Sequence, residues 1–107
     1  MAQTKNLSVT INEEEFPIRM TMGALVRFKQ ETGKELVEAE GTVDNATLLW
    51  CCIKSACNRE GKEFDYSILD FVDFIDVDEI NGIIDVLFSL FGVNRQEVET
   101  DGEKKTV

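Results

Sequence analysis

Three cysteines, Cys51, Cys52 and Cys57, are the side chains of this sequence best suited to bind a metal or to act as nucleophiles. A structural zinc site needs four Cys or His ligands, whereas the chain has three cysteines and no histidine. A catalytic thiolate needs a neighbouring base, and the lack of histidine removes the usual one. Because Cys52 and Cys57 fall on the apolar stripe of a predicted helix, we expect reduced thiols packed in the core.

An acidic segment, residues 76–82 with the sequence DVDEING, has some features of a calcium-binding loop. An EF-hand loop needs oxygen ligands at positions 1, 3 and 5, glycine at position 6 and glutamate at position 12. Counted from Asp76, these last three positions hold Ile80, Asn81 and Leu87. We therefore expect the acids to cap a helix and to oppose the positive end of its dipole, without binding a metal.

Other catalytic arrangements are missing from the sequence as well. The seven glycines form neither a GxGxxG nor a GxxxxGK phosphate loop. Carboxylates are abundant, but a mainly helical chain of 107 residues leaves little room for a substrate cleft lined by positioned groups. We predict a protein that is not an enzyme, with no catalytic, cofactor-binding or metal-binding residue.

The charge of the chain limits its partners. It has 21 acidic and 11 basic side chains and a formal charge of −10, which disfavours binding to nucleic acid or to an anionic membrane. Eight acids and no Lys or Arg lie between Glu63 and Asn94. This stretch is either a solvated face or an acidic surface that meets a basic patch, on a partner or on a second copy of the chain.

The elements that must position these residues follow from apolar periodicity. Alternation predicts a β-hairpin over 7–20, and helical spacing predicts amphipathic helices over 22–32, 44–58, 66–75 and 77–91. Thr21 is the candidate N-cap of the first helix and Gly33 the candidate stop. We predict one α+β domain over residues 1–93, mainly helical, followed by a flexible tail over 94–107.

The last two predicted helices carry more large apolar residues than two amphipathic helices need. We expect part of this set, Phe71, Phe74, Leu90 and Phe91, to contact a protein partner or a second copy of the chain. The first residues lack the apolar run of a secretory signal, and no apolar stretch reaches the ~20 residues that cross a bilayer. A cytoplasmic location is expected.

Residues 20–36, MTMGALVRFKQETGKEL, resemble a segment of the tail assembly chaperones of long-tailed bacteriophages. The likeness is carried by Gly23-Ala24-Leu25, by Phe28 and by Glu31-Thr32-Gly33-Lys34. Members of that family are small acidic proteins that often open with a β-hairpin and continue with several amphipathic helices. The resemblance covers approximately residues 7–92, and its specific motif lies within 22–36.

The resemblance implies a non-enzymatic role in phage tail morphogenesis, in the cytoplasm of a bacterial host. Chaperones of this family bind the long, largely helical tape measure protein, keep it soluble and recruit tail tube subunits around it. The family brings no catalytic residue, cofactor or binding motif with it. The alternative is an acidic helical adaptor or regulator that binds a basic protein, which includes an antagonist that mimics nucleic acid.

Overall fold

The computed structural model describes residues 7–90, which form an antiparallel β-hairpin followed by four α-helices. The mainly helical α+β class predicted from the sequence is confirmed. In chain order the elements are β1 (Leu7–Ile11), β2 (Glu14–Ile18), α1 (Met22–Thr32), a 3-10 turn (Leu36–Glu38), α2 (Gly41–Glu60), α3 (Ile68–Val72) and α4 (Val77–Leu90). The predicted tail over 94–107 and the end of the last predicted helix at Phe91 lie outside the described residues.

The hairpin buries one face of its two strands and exposes the other. The buried side chains are Val9, Ile11, Phe16 and Ile18. The strands are joined by a two-residue turn in which Asn12 and Glu13 have φ angles of 52° and 71°, as in a type I′ turn. Strand β2 ends at Ile18, earlier than the predicted residue 20, and the N–H of the next residue, Arg19, donates to the carbonyl of Cys52 on α2 at 3.4 Å.

Helix α1 has the predicted bounds, 22–32, because local chemistry determines both of its ends. The hydroxyl of Thr21 accepts the N–H of Ala24 at 3.0 Å, which caps the first turn. Gly33 adopts φ +78°, and its N–H donates to the carbonyl of Lys29 at 2.7 Å. This left-handed conformation favours glycine, so Gly33 ends the helix.

Helix α2 is the central element and packs against β2, α1, α3 and α4. It spans 41–60, which is longer at both ends than the predicted 44–58. Asp44 lies inside its first turn; its carboxylate accepts the N–H of Glu40 at 3.0 Å and pairs with Lys34 Nζ at 2.6 Å. Leu48, Leu49 and Ile53 are fully buried along its length.

Helix α3 is shorter than predicted, with bounds of 68–72 where the sequence predicted 66–75. The carbonyl of Tyr66 accepts the indole N–H of Trp50 on α2 at 2.9 Å, which holds the chain before the helix in place. Ser67 then caps α3 by accepting the N–H of Asp70 at 3.1 Å. After Asp73 the chain turns into α4, which begins at Val77 as predicted.

Among residues 7–90, none of the helices has the length and the apolar character that a membrane span requires.

Candidate protein-binding surface

The four residues expected to contact a partner are in different environments. Phe71 is 0% exposed and packs in the core, where its ring contacts that of Phe64. Contrary to the expectation, it is therefore not part of an exposed contact surface. Phe74 is 47% exposed and Leu90 is partly buried. Phe91 lies outside the described residues. Of the expected set, Phe74 is therefore the clearest exposed apolar side chain.

A series of aromatic contacts connects Phe74 to the core. Its ring meets that of Tyr66 edge-on, with centroids 5.7 Å apart. Tyr66 in turn lies 5.4 Å from Phe64, which contacts Phe71 at 6.2 Å and Phe16 of the hairpin at 5.1 Å. Edge-to-face contacts of this length are favourable for aromatic pairs. The exposed ring is thus continuous with the core.

A second apolar feature, which we call the α2–α3–α4 groove, lies between the first turns of α2 and α4 and one side of α3. Its volume is about 360 Å3. Three side chains that line it are largely exposed: Val43 of α2 at 79%, Leu69 of α3 at 76% and Val77 of α4 at 58%. Buried residues lie deeper in it, including Ile75 and Ile80. Within residues 7–90, none of the residues that line the groove is charged.

Local helix boundaries bring these three exposed side chains together. Helix α2 begins at Gly41, which places Val43 in its first turn. The Ser67 cap starts α3 so that Ile68, Leu69 and Val72 line the groove while Phe71 enters the core. Val77 is the first residue of α4, and Ile80 lies one turn further on. Sequence reasoning missed Val43 because the predicted helix began at residue 44, and Leu69 was not among the residues expected to contact a partner.

The surroundings of the groove are acidic. Exposed carboxylates are close in sequence to the lining residues of α3, of α4 and of the turn between them. They are Asp70, Asp73, Asp76, Asp78 and Glu79. The three ion pairs found in residues 7–90 use Lys29, Lys34 and Lys62, and their partners are acids outside α3 and α4. The acids beside the groove therefore carry a negative charge that these lysines do not compensate.

The three cysteines are buried and free of disulfides, as expected. Burial raises the pKa of the Cys51 thiol to about 12, with a further contribution from the negative charge of Glu31. Burial also raises the pKa of Cys52 and Cys57 above the usual value. Neutral, buried thiols are poor nucleophiles and poor metal ligands. Among the described residues, no group of three or more Cys, Asp or Glu side chains is placed to hold a metal ion.

The residues of the 22–36 motif lie away from the groove and pack α1 on α2. Ala24 and Phe28 are 0% exposed. Gly23 lies against α2 so closely that a Cβ there would be 3.0 Å from the Ser55 hydroxyl. Lys34 pairs with Asp44 at the start of α2. These residues of the motif thus pack α1 on α2 and reverse the chain, whereas Met22 and Val26 of the same segment are 72% and 48% exposed.

The described residues thus present an exposed apolar groove bordered by carboxylates, and three buried thiols. No protein-family model, curated protein or solved structure matches the chain.

Proposed function

We propose that this protein is a non-enzymatic tail assembly chaperone of a long-tailed bacteriophage, which binds the tape measure protein and recruits tail tube subunits. The observation that carries the proposal is the α2–α3–α4 groove, an exposed apolar surface bordered by carboxylates. The resemblance of residues 22–36 to that family indicates the kind of client.

The physical requirements of such a chaperone agree with these features. A client with long amphipathic helices exposes apolar stripes before it is assembled, and these stripes drive aggregation. A chaperone must cover the stripes with apolar surface of its own, as Val43, Leu69, Phe74 and Val77 can do. Its formal charge of −10 then keeps the complexes apart through mutual repulsion.

Co-expression tests the proposal. A gene for a tail tube protein is expected just upstream of this one, and a gene for a very long helical tape measure protein just downstream. We expect that tape measure protein to be soluble and to copurify with this chain, and to be insoluble when it is expressed alone. A tape measure protein that is equally soluble without this chain, and that does not copurify with it, would contradict the proposal.

The alternative function, an acidic adaptor or regulator that binds a basic protein, is favoured by one observation. Eight acids and no Lys or Arg lie between residues 63 and 90. A mimic of nucleic acid needs carboxylates on a face with little apolar surface between them, whereas here Leu69, Phe74 and Val77 interrupt the acids. Competition with DNA for a basic protein, unaffected by substitutions in the groove, would favour this alternative.

A further inference from the structure

We propose that the α2–α3–α4 groove binds one amphipathic helix of the partner, whose apolar stripe is flanked by Lys and Arg. The inference rests on the proposed function in so far as the chain is taken to bind protein. It adds the place of binding and the chemistry of the bound segment.

Three exposed side chains make the groove a suitable surface for the apolar stripe of a helix. Val43, Leu69 and Val77 belong to three different helices, so they form a surface broader than one stripe. Ile75 and Ile80 provide an apolar floor. An amphipathic helix placed in such a groove buries side chains at i, i+3 or i+4, and i+7. Covering the groove removes exposed apolar area from water, which is favourable.

A helix suits the groove better than an extended strand. Strand addition needs the free backbone edge of a sheet, because main-chain hydrogen bonds hold the added strand. No residue of β1 or β2 lines the groove, which is formed by helices and by the turn that contains Ile75. The groove therefore offers a partner apolar side chains and no free edge of a sheet.

The charge of the bound segment follows from the acids beside the groove. Asp73 lies four residues after Leu69, and Asp76 and Asp78 flank Val77; all three are exposed. Glu40, the residue just before α2, is also exposed, and Lys34 is already paired with Asp44. Lys or Arg beside the apolar stripe of a partner would meet these carboxylates, which favours capture and fixes orientation. A second copy of this chain, with its formal charge of −10, would be repelled.

Two synthetic peptides test the chemistry of the occupant. Both are helical, of equal length, with the same leucine stripe; one carries Lys beside the stripe and the other carries Glu at the same positions. We expect the Lys peptide to bind at least about tenfold more tightly in fluorescence anisotropy, and added salt to reduce its affinity. Equal affinity of the two peptides, or no binding of either, would overturn the proposal.

Substitutions in the protein test the place of binding. Leu69→Ser and Val43→Ser remove exposed apolar groups from the groove, and Met22→Ser is the matched control, because Met22 on α1 is 72% exposed. We expect each groove variant to weaken binding of the Lys peptide about tenfold, and the control to leave its affinity unchanged. All three variants should have the same circular dichroism spectrum. Equal losses in the groove and control variants would show that the groove is not the site.

Charge variants test the acidic border in the same way. Asp73→Asn should weaken binding of the Lys peptide a few-fold and reduce its salt dependence. Glu31→Gln, at an exposed acid of α1, should change neither the affinity of the Lys peptide nor its salt dependence. An identical response of the two variants would contradict a role for the acids beside the groove.

The two proposals can fail separately. If the tape measure protein copurifies with the wild type and equally with Leu69→Ser, the groove proposal is wrong while the proposed function stands. If it does not copurify, but the Lys peptide binds and Leu69→Ser abolishes that binding, the groove proposal stands alone. If the peptides do not bind and Leu69→Ser abolishes a dimer of the wild type in sedimentation, the occupant is a second copy and the proposal is wrong.

Discussion

The side-chain hydroxyls of Thr21 and Ser55 lie 2.5 Å apart and join the N-cap of α1 to the middle of α2. Thr21 also accepts the N–H of Ala24, so one side chain both starts a helix and attaches it to its neighbour. Ser55 is buried, and its hydroxyl would lose this partner if Thr21 were changed. The residue that caps α1 is thus also a tertiary contact between α1 and α2.

Replacing Thr21 should therefore cost more stability than replacing Ser55. Thr21→Val removes the cap and leaves the buried Ser55 hydroxyl without this partner, so we expect a loss of about 2 kcal/mol in the free energy of unfolding. Ser55→Ala removes only the bond between the helices and should cost about 1 kcal/mol or less. Urea unfolding followed by circular dichroism measures both. Equal losses would show that the cap contributes nothing.

Substitution by alanine should affect stability differently at two helical glycines, Gly82 and Gly23. Gly82 of α4 has open space where a Cβ would be placed, so Gly82→Ala should stabilise the protein by about 1 kcal/mol through helix propensity. At Gly23 a Cβ would lie 3.0 Å from the Ser55 hydroxyl, which is held by Thr21. We expect Gly23→Ala to give no stabilisation.

Thermal unfolding of the two alanine variants, side by side, checks this expectation. The double variant with Ser55→Ala serves as a control, because it removes the nearest contact of a Cβ at Gly23. The next contact, Arg27 Nη1 at 3.1 Å, is the end of a flexible side chain that can move aside. In that background Gly23→Ala should regain a stabilising effect. An equal rise in melting temperature for Gly23→Ala and Gly82→Ala in the wild type would contradict the close approach of α1 to α2.

Much of the fold could be predicted because local chemistry determines it. Thr21 and Gly33 set the ends of α1 through a cap and a left-handed stop, both visible in the sequence. The start of α2 could not be predicted, because it depends on Asp44, which pairs with Lys34 ten residues earlier. The start of α3 is local, because the Ser67 hydroxyl caps the helix, while the Trp50 indole holds the carbonyl of Tyr66 just before it. A contact between distant residues thus shifts the start of α2 away from the local pattern.

The contact surface was harder to predict for a geometric reason. Four of the five residues of α3 are apolar, so periodicity alone does not say which side of this helix faces the core. Phe71 was expected at the surface and is buried, while Leu69, two residues away and on nearly the opposite side, is exposed. The position of α3 against α2 decides between these sides. Phe74 was expected to be accessible and is 47% exposed.

The hairpin turn should become more stable when glycine replaces its second residue. Glu13 adopts φ 71°, a conformation that costs an L residue roughly 1–2 kcal/mol. Glu13→Gly relieves this cost but adds freedom to the unfolded chain, so we expect a net gain of about 0.5–1 kcal/mol. Glu13→Ala is the control, because it removes the same charge and keeps the Cβ. Chemical unfolding should show a gain for glycine only; equal gains would attribute the effect to charge.

Burial of the thiols should make the folded state less stable in alkali. An exposed thiol ionises near its usual pKa of 9.0 in the unfolded chain, whereas Cys51 in the folded protein has a pKa of about 12. Between these two values the unfolded state binds fewer protons than the folded state. The free energy of unfolding should therefore be highest below pH 9 and should fall as the pH rises towards 12, by up to about 1.4 kcal/mol per pH unit for each thiol.

Paired lysines contribute a slope of the same sign, so a variant must separate the two effects. Hydrogen bonds to carboxylates raise the pKa of Lys29, Lys34 and Lys62, and these bonds also weaken in alkali. Cys51→Ala removes one buried thiol and leaves these lysines unchanged. Its unfolding free energy should fall less steeply above pH 9 than that of the wild type, although the cavity lowers its stability at pH 7. Parallel slopes for the two proteins would show that Cys51 ionises as easily in the folded state as in the unfolded chain, and would contradict its burial.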